Sequence, residues 1–158
     1  GKTGYIRSDL MNITGGSSFS ANVSNNVAVT PGNASKGQQI ADYAMQYVGY
    51  RYVYGGASPS SGFDCSGLVQ WCFGKAGISM PRTAQEQYNV TQHIPLSEAK
   101  AGDLVFFHST YNAGTYITHV GIYQGNNRMF HAGDPIGYAD LTSSYWQQHL
   151  ASAGRISK

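Results

Sequence analysis

At Gly102 the hydrophobic period of this chain changes, and that change limits the folds open to it. Upstream, Ile40, Ala41, Ala44, Tyr47 and Val48 recur at helical spacing until Gly49 ends the pattern. Leu68, Val69, Cys72, Phe73 and Ala76 draw a second apolar stripe, which begins after Asp64 and stops near Gly77. Thr83, with Glu86 three residues on and just behind Pro81, has the form of a capping box and predicts a short third helix. Downstream the apolar residues come in short β-branched or aromatic runs over 104–107, 118–124 and 128–132, the last two joined by a Gly-Asn-Asn turn. Helices first and strands after predict an α+β fold with helices packed on an antiparallel sheet.

Two segments stand ahead of that pattern. Residues 15–37 are dominated by Gly, Ser, Asn, Thr and Pro with Lys36 as the only charge, the composition of a flexible linker. Residues 1–14, opening GKTGYIRSDL, read as a turn and a short strand, too little to fold alone. The folded domain is therefore expected over 38–158. A chain of 158 residues fits one domain, or one domain plus a tail. It begins at Gly1 without a methionine, as a fragment or processed product would, so the missing leader peptide carries no information.

Composition narrows the partners. Only 11% of residues are charged, against about 25% in an average soluble domain, while 20 glycines and 12 tyrosines shift the surface toward neutral polar groups. Such a surface suits a secreted protein. A net charge of +2 from scattered basic residues lacks the clustered stripe that nucleic acid requires. No run of about 18 apolar residues offers a membrane span. A monomer is the simplest expectation.

Cys65 is the candidate nucleophile on position alone. It opens the second helix directly after Asp64, where unpaired amides and the helix dipole favour a thiolate. It also shares the inward stripe of Leu68, Val69 and Cys72. Cys65 and Cys72 lie about 10.5 Å apart along one helix, beyond the reach of a disulfide, so both thiols are expected free, Cys72 as a small buried hydrophobe. A thiolate needs a base, and the chain holds His93, His108, His119, His131 and His149. His119 and His131 flank the Gly-Asn-Asn turn at an even separation. A turn with an odd number of residues puts them opposite or one diagonal apart on the same face. One imidazole can then orient the other, the logic of a nucleophile, base and orienter. Zinc is set aside: there is no Cys-x-x-Cys and no histidine pair at helical ligand spacing.

Several blocks, in order and spacing, resemble the NlpC/P60 papain-like cysteine peptidases of bacterial cell walls: GYRYVYGG, GFDCSGLVQWCF, ISMPRTAQEQY, AKAGDLVFF, THVGIYQGNNRMFHAG and YWQQHLASAGRI. The resemblance covers about residues 38–158. It implies a papain-like NlpC/P60 fold without cofactor or metal, with Cys65 as nucleophile, His119 as general base and His131 as the orienting third residue. It further implies that the Tyr52 hydroxyl lies beside the nucleophile and helps bind the oxyanion, and that Asp64 and Ser66 line the substrate cleft. Arg51 and Tyr54 stand where the family commonly has proline and tryptophan, which puts the cleft entrance, and with it specificity, in question. Arg82 and Asp103 are read as loop-holding residues, and His93, His108 and His149 are given no role. The opening GKTGYI resembles the closing strand of a bacterial SH3 domain, which would place a wall-binding module upstream.

The resemblance implies as substrate the stem peptide of peptidoglycan, cut between D-γ-glutamyl and an L-diamino acid by a protein of the cell wall. An N-acetylmuramoyl-L-alanine amidase or a cross-bridge peptidase would keep the chemistry and move the cut. A non-catalytic wall-binding module would keep the fold alone, and the intact Cys, His, His set weighs against it.

Overall fold

The computed structural model describes residues 32–112 and 114–156. The segment read as an SH3-type remnant lies outside them, as does most of the segment read as a linker. Helix α1 (Gly32–Met45) opens inside that Gly/Ser-rich stretch, where Ala34, Lys36, Gln38 and Gln39 are adequate helix formers. A small hairpin, β1 (Ala57–Ser58) and β2 (Gly62–Phe63), then leads directly into α2 (Cys65–Lys75). Asp64 caps α2 by accepting the Gly67 N–H at 2.8 Å. Helix α3 (Ala84–Val90) starts on the expected capping box of Thr83 and Glu86.

The strands follow as β3 (Gln92–Ile94), β4 (Leu104–His108), β5 (Ile117–Gly125), β6 (Arg128–His131) and β7 (Gly137–Asp140). A short helix α4 (Ser144–His149) then runs straight into β8 (Leu150–Arg155). They form one antiparallel sheet in the order β3-β8-β4-β5-β6-β7. The expected α+β fold is thus observed, with the three predicted runs at β4, β5 and β6.

Strand periodicity sorts the core onto two faces. Leu104, Phe106, Val120, Ile122 and Phe130 point at the helices and meet Leu68, Val69, Cys72 and Phe73 of α2 in the main core. Val105, Phe107, Tyr123 and Met129 point the other way, into a smaller cluster that Leu141, Trp146 and Leu150 close. Register shifts beside Phe107, in its pairing with both β5 and β8, mark bulges at the end of the sheet that carries the site.

The first turn of α2 packs against the turn that enters the hairpin at Gly56 and Ala57 with no room to spare. A Cβ on Gly67 would stand 2.1 Å from the Gly56 carbonyl oxygen and 2.9 Å from Asp64 Oδ1. Gly67→Ala therefore forces backbone apart and disturbs the cap, at a cost of about 3 kcal/mol. Its melting temperature is expected to fall by about 8 °C or more. An unchanged melting curve would mean the turn is far more compliant than its packing implies.

Candidate active site

Two local rules deliver the residues. The cap on α2 fixes Cys65 at the helix tip, and the β5–β6 hairpin fixes the two histidines. The turn itself is Asn126 and Asn127, at φ 56° and 60°, a conformation asparagine tolerates, between the paired residues Gly125 and Arg128. A bulge between Tyr123 and Gly125 supplies the extra residue that restores the expected parity. Ile122 pairs with Phe130 across it, so residue 121 faces His131 and His119 lies one diagonal away on the same face. Gly121 keeps that patch open, since a Cβ there would stand 2.5 Å from the Met129 sulfur and 3.3 Å from the His131 Cβ. The imidazoles meet edge to face, with Nε2 of His119 2.9 Å from Nδ1 of His131.

Cys65 and His119 line one open cleft of about 650 Å³, together with Tyr52, Asp64, Ser66 and Arg82. The Cys65 sulfur receives backbone hydrogen bonds from Val120, the residue after His119, and from Ser66. Helix tip and strand are therefore in contact. Because Nε2 of His119 is committed to His131, Nδ1 is the nitrogen left for the thiol. The arrangement suits a tautomer in which His119 donates through Nε2 and accepts through Nδ1.

The electrostatics run opposite to the expectation from the helix tip. Burial pushes the Cys65 thiol up to about 11, with Asp64 adding to it and the Val120 and Ser66 hydrogen bonds opposing. Burial and the neighbouring His131 push His119 down to about 3, and burial pushes His131 down to about 4. The resting pair is thus a thiol and a neutral imidazole. Desolvation of the charged forms outweighs the dipole of one helix. Tyr52 stands half-exposed in the cleft with its hydroxyl held at about 12, raised by burial and by Cys65; it is a hydrogen-bond donor at neutral pH.

Asp64 does more than the sequence assigned to it. Besides capping α2 it takes both guanidinium nitrogens of Arg82, at 3.1 and 3.0 Å, and the Gly55 N–H at 3.0 Å. Arg82 also donates to Ser66 Oγ at 2.9 Å. This network ties the hairpin, the tip of α2 and the segment before α3 together on the cleft wall, so Arg82 holds loops and lines the cleft at once. Asp103 fits its loop-holding reading, pairing with Arg155 at 2.7 Å and accepting the Lys100 N–H at 2.8 Å. His93 accompanies Tyr88 through its carbonyl and ring, and His149 bonds the His108 carbonyl. Both cysteines are free, and Cys72 is fully buried.

The sequence reading missed Tyr111 and Trp146. Tyr111 lines the cleft from the loop after β4, where Thr118 Oγ1 accepts the Thr110 N–H at 2.9 Å. Trp146 packs on both histidines from α4. The YWQQH run carried its residue type but no position, because only the folded sheet brings α4 back over β5 and β6.

A helix whose tip abuts the strands of an antiparallel sheet, with a cysteine on one and a histidine on the other, defines the papain-like class of α+β domains. Residues 49–155 match the NlpC/P60 family, and the chain belongs to that family. It is 54% identical over 132 residues to the bifunctional muramidase/DL-endopeptidase CwlT of Bacillus subtilis strain 168, covering 83% of this chain and 40% of that protein. It is 39% identical over 120 residues to the gamma-DL-glutamyl hydrolase of the same strain, covering 74% and 29%. Among solved structures it resembles an NLP/P60-family protein of Staphylococcus aureus Mu50 described as similar to lipoprotein, with TM-score 0.77, 59% identity, and coverage of 84% of this chain and 45% of that one. The chain spans less than half the length of each of these relatives.

Proposed function

We propose that this domain is a peptidoglycan hydrolase, a cysteine endopeptidase that cuts stem peptides between D-γ-glutamyl and an L-diamino acid, and that it acts outside the cell at the wall. The observation that carries the reading is that Cys65 lines one open cleft with His119, whose ring is bonded from behind to His131. The bond is taken from relatives named a DL-endopeptidase and a gamma-DL-glutamyl hydrolase.

In the proposed reaction His119 Nδ1 takes the thiol proton as Cys65 Sγ bonds to the scissile carbonyl carbon, so the high thiol and low imidazole values are crossed only during attack. The oxyanion is held by the Cys65 backbone N–H and the Tyr52 hydroxyl. His119 then gives its proton to the leaving amine as the C–N bond breaks, which leaves a thioester. Water attacks with His119 taking its proton. The S–C bond breaks, and the proton returns to sulfur. His131 keeps His119 in the tautomer each step needs. Asp64, Ser66 and Arg82 form the polar wall against which the stem peptide lies.

Digestion of defined muropeptides followed by mass spectrometry tests the bond. The expected products are glycans that keep a dipeptide stump. Stem-free glycan would instead establish an amidase, dimers split with stems intact would establish a cut in the cross-bridge, and unchanged substrate would establish a binding module. Tyr52→Phe removes one oxyanion donor and is expected to lower kcat about 10²-fold with little change in KM. Equal kcat in the two proteins would remove Tyr52 from the mechanism.

A further inference from the structure

The proposed cycle makes His119 a cation twice, yet no carboxylate among the described residues bonds to it. Its polar neighbour is His131, itself held neutral by burial. The groups around it are Cys65 from α2, Phe107 from β4, His131 from β6 and Trp146 from α4, with Asp64 of the same cleft engaged by Arg82. What covers the ring is an indole. Trp146 lies face to face with His119, centroids 5.5 Å apart and planes 23° apart, and meets His131 nearly perpendicularly at 5.3 Å. Its own place is fixed by Phe107 at 4.7 Å and Tyr145 at 4.9 Å.

We propose that Trp146 is a positioning residue of the reaction, whose indole face holds the His119 ring in plane and stabilises it when it becomes an imidazolium. An aromatic face within about 6 Å of a desolvated cation attracts it through the ring quadrupole, and tryptophan does so best. A third residue that is neutral leaves this attraction as the stabilisation available where an acidic third residue would supply charge. The stack also covers one face of the imidazole pair, which keeps water from competing for the His119–His131 hydrogen bond. An indole placed only to fill the smaller core would need apolar contact with Phe107 and Leu150, not a parallel stack on a titratable ring.

This inference rests on the hydrolase reading, and its test separates the two. Trp146 is replaced by tryptophans bearing one, two and three fluorine atoms, which keep the shape of the indole while weakening the negative face. Two rates are followed: kcat on the muropeptide and alkylation of Cys65 by iodoacetamide at neutral pH, which also sends the thiol proton to His119 as sulfur bonds to carbon and iodide leaves. Both are expected to fall stepwise, by about tenfold across the series, with KM and the melting temperature unchanged. Rates that stay flat while the protein remains folded would overturn the inference and leave Trp146 a packing residue. If the unsubstituted protein cleaves no muropeptide, the hydrolase reading fails by itself, and the alkylation series still decides the role of Trp146.

Discussion

Cys65→Ala is expected to reduce muropeptide cleavage to background, a loss of at least about 10⁴-fold, while the domain melts within about 2 °C of the parent. The two halves of that expectation have separate causes. Activity goes because the proposed acyl-enzyme has no other nucleophile: Cys72 is fully buried in the main core, its thiol pushed up to about 12. Stability stays because the sulfur adds only weak backbone contacts to Val120 and Ser66, and the strong local ties lie elsewhere. The cap on α2 belongs to Asp64, and the ties between hairpin, helix tip and α3 belong to Asp64 and Arg82. Deleting a thiol that opens on the cleft creates no closed cavity. Cys65→Ser is the sharper variant, since it keeps a hydroxyl in place and loses only nucleophilicity. Substantial turnover by either protein would move the chemistry away from α2 altogether. A large loss of stability would mean instead that the tip of α2 depends on the sulfur for its packing.

The parts of this site that could be read in the sequence are those set by local rules. A cap before a helical stripe placed Cys65, and an odd-residue turn was expected to place His119 and His131 on one face. They do share it, but through a two-residue turn plus a bulge between Tyr123 and Gly125 that supplies the odd residue. The structure selects the diagonal of the two arrangements parity allowed. What was not legible comes from contacts between distant segments. The run 150–155, LASAGR, has neither β-branched residues nor clear alternation, yet it forms β8 between β3 and β4. Gly154 is part of the reason: a Cβ there would stand 2.6 Å from Thr91 Oγ1 and 2.7 Å from the Phe106 ring, so the lack of a side chain admits the strand. The charge state of Cys65 failed for the same physical cause. A helix tip is visible in a sequence, but the burial that outweighs its dipole arises only when the distant segments pack together.

Removing the proposed general base reaches both function and stability, and their joint behaviour is more demanding than either alone. His119→Gln keeps a polar side chain of similar size but cannot cycle a proton, and is expected to lower kcat about 10⁴-fold. It also changes how the fold responds to acid. His119 and His131 hold folded values of about 3 and about 4, while an unfolded histidine titrates near 6.5. Below about 6.5 the unfolded chain therefore binds protons that the folded one refuses, and stability declines as the pH falls toward those folded values. Above that window the contribution is fully present. Each histidine adds a slope of up to about 1.4 kcal/mol per pH unit, so the pair adds up to about 2.7 in the parent and half of that in the variant. Urea unfolding at pH 7, 5.5 and 4.5 reads the difference directly, because His93, His108 and His149 are common to both proteins. The curves should converge or cross as the pH drops, the variant losing less stability than the parent. Parallel decline would mean that His119 is already charged in the folded protein, and that the resting site is an ion pair rather than a thiol beside a neutral imidazole.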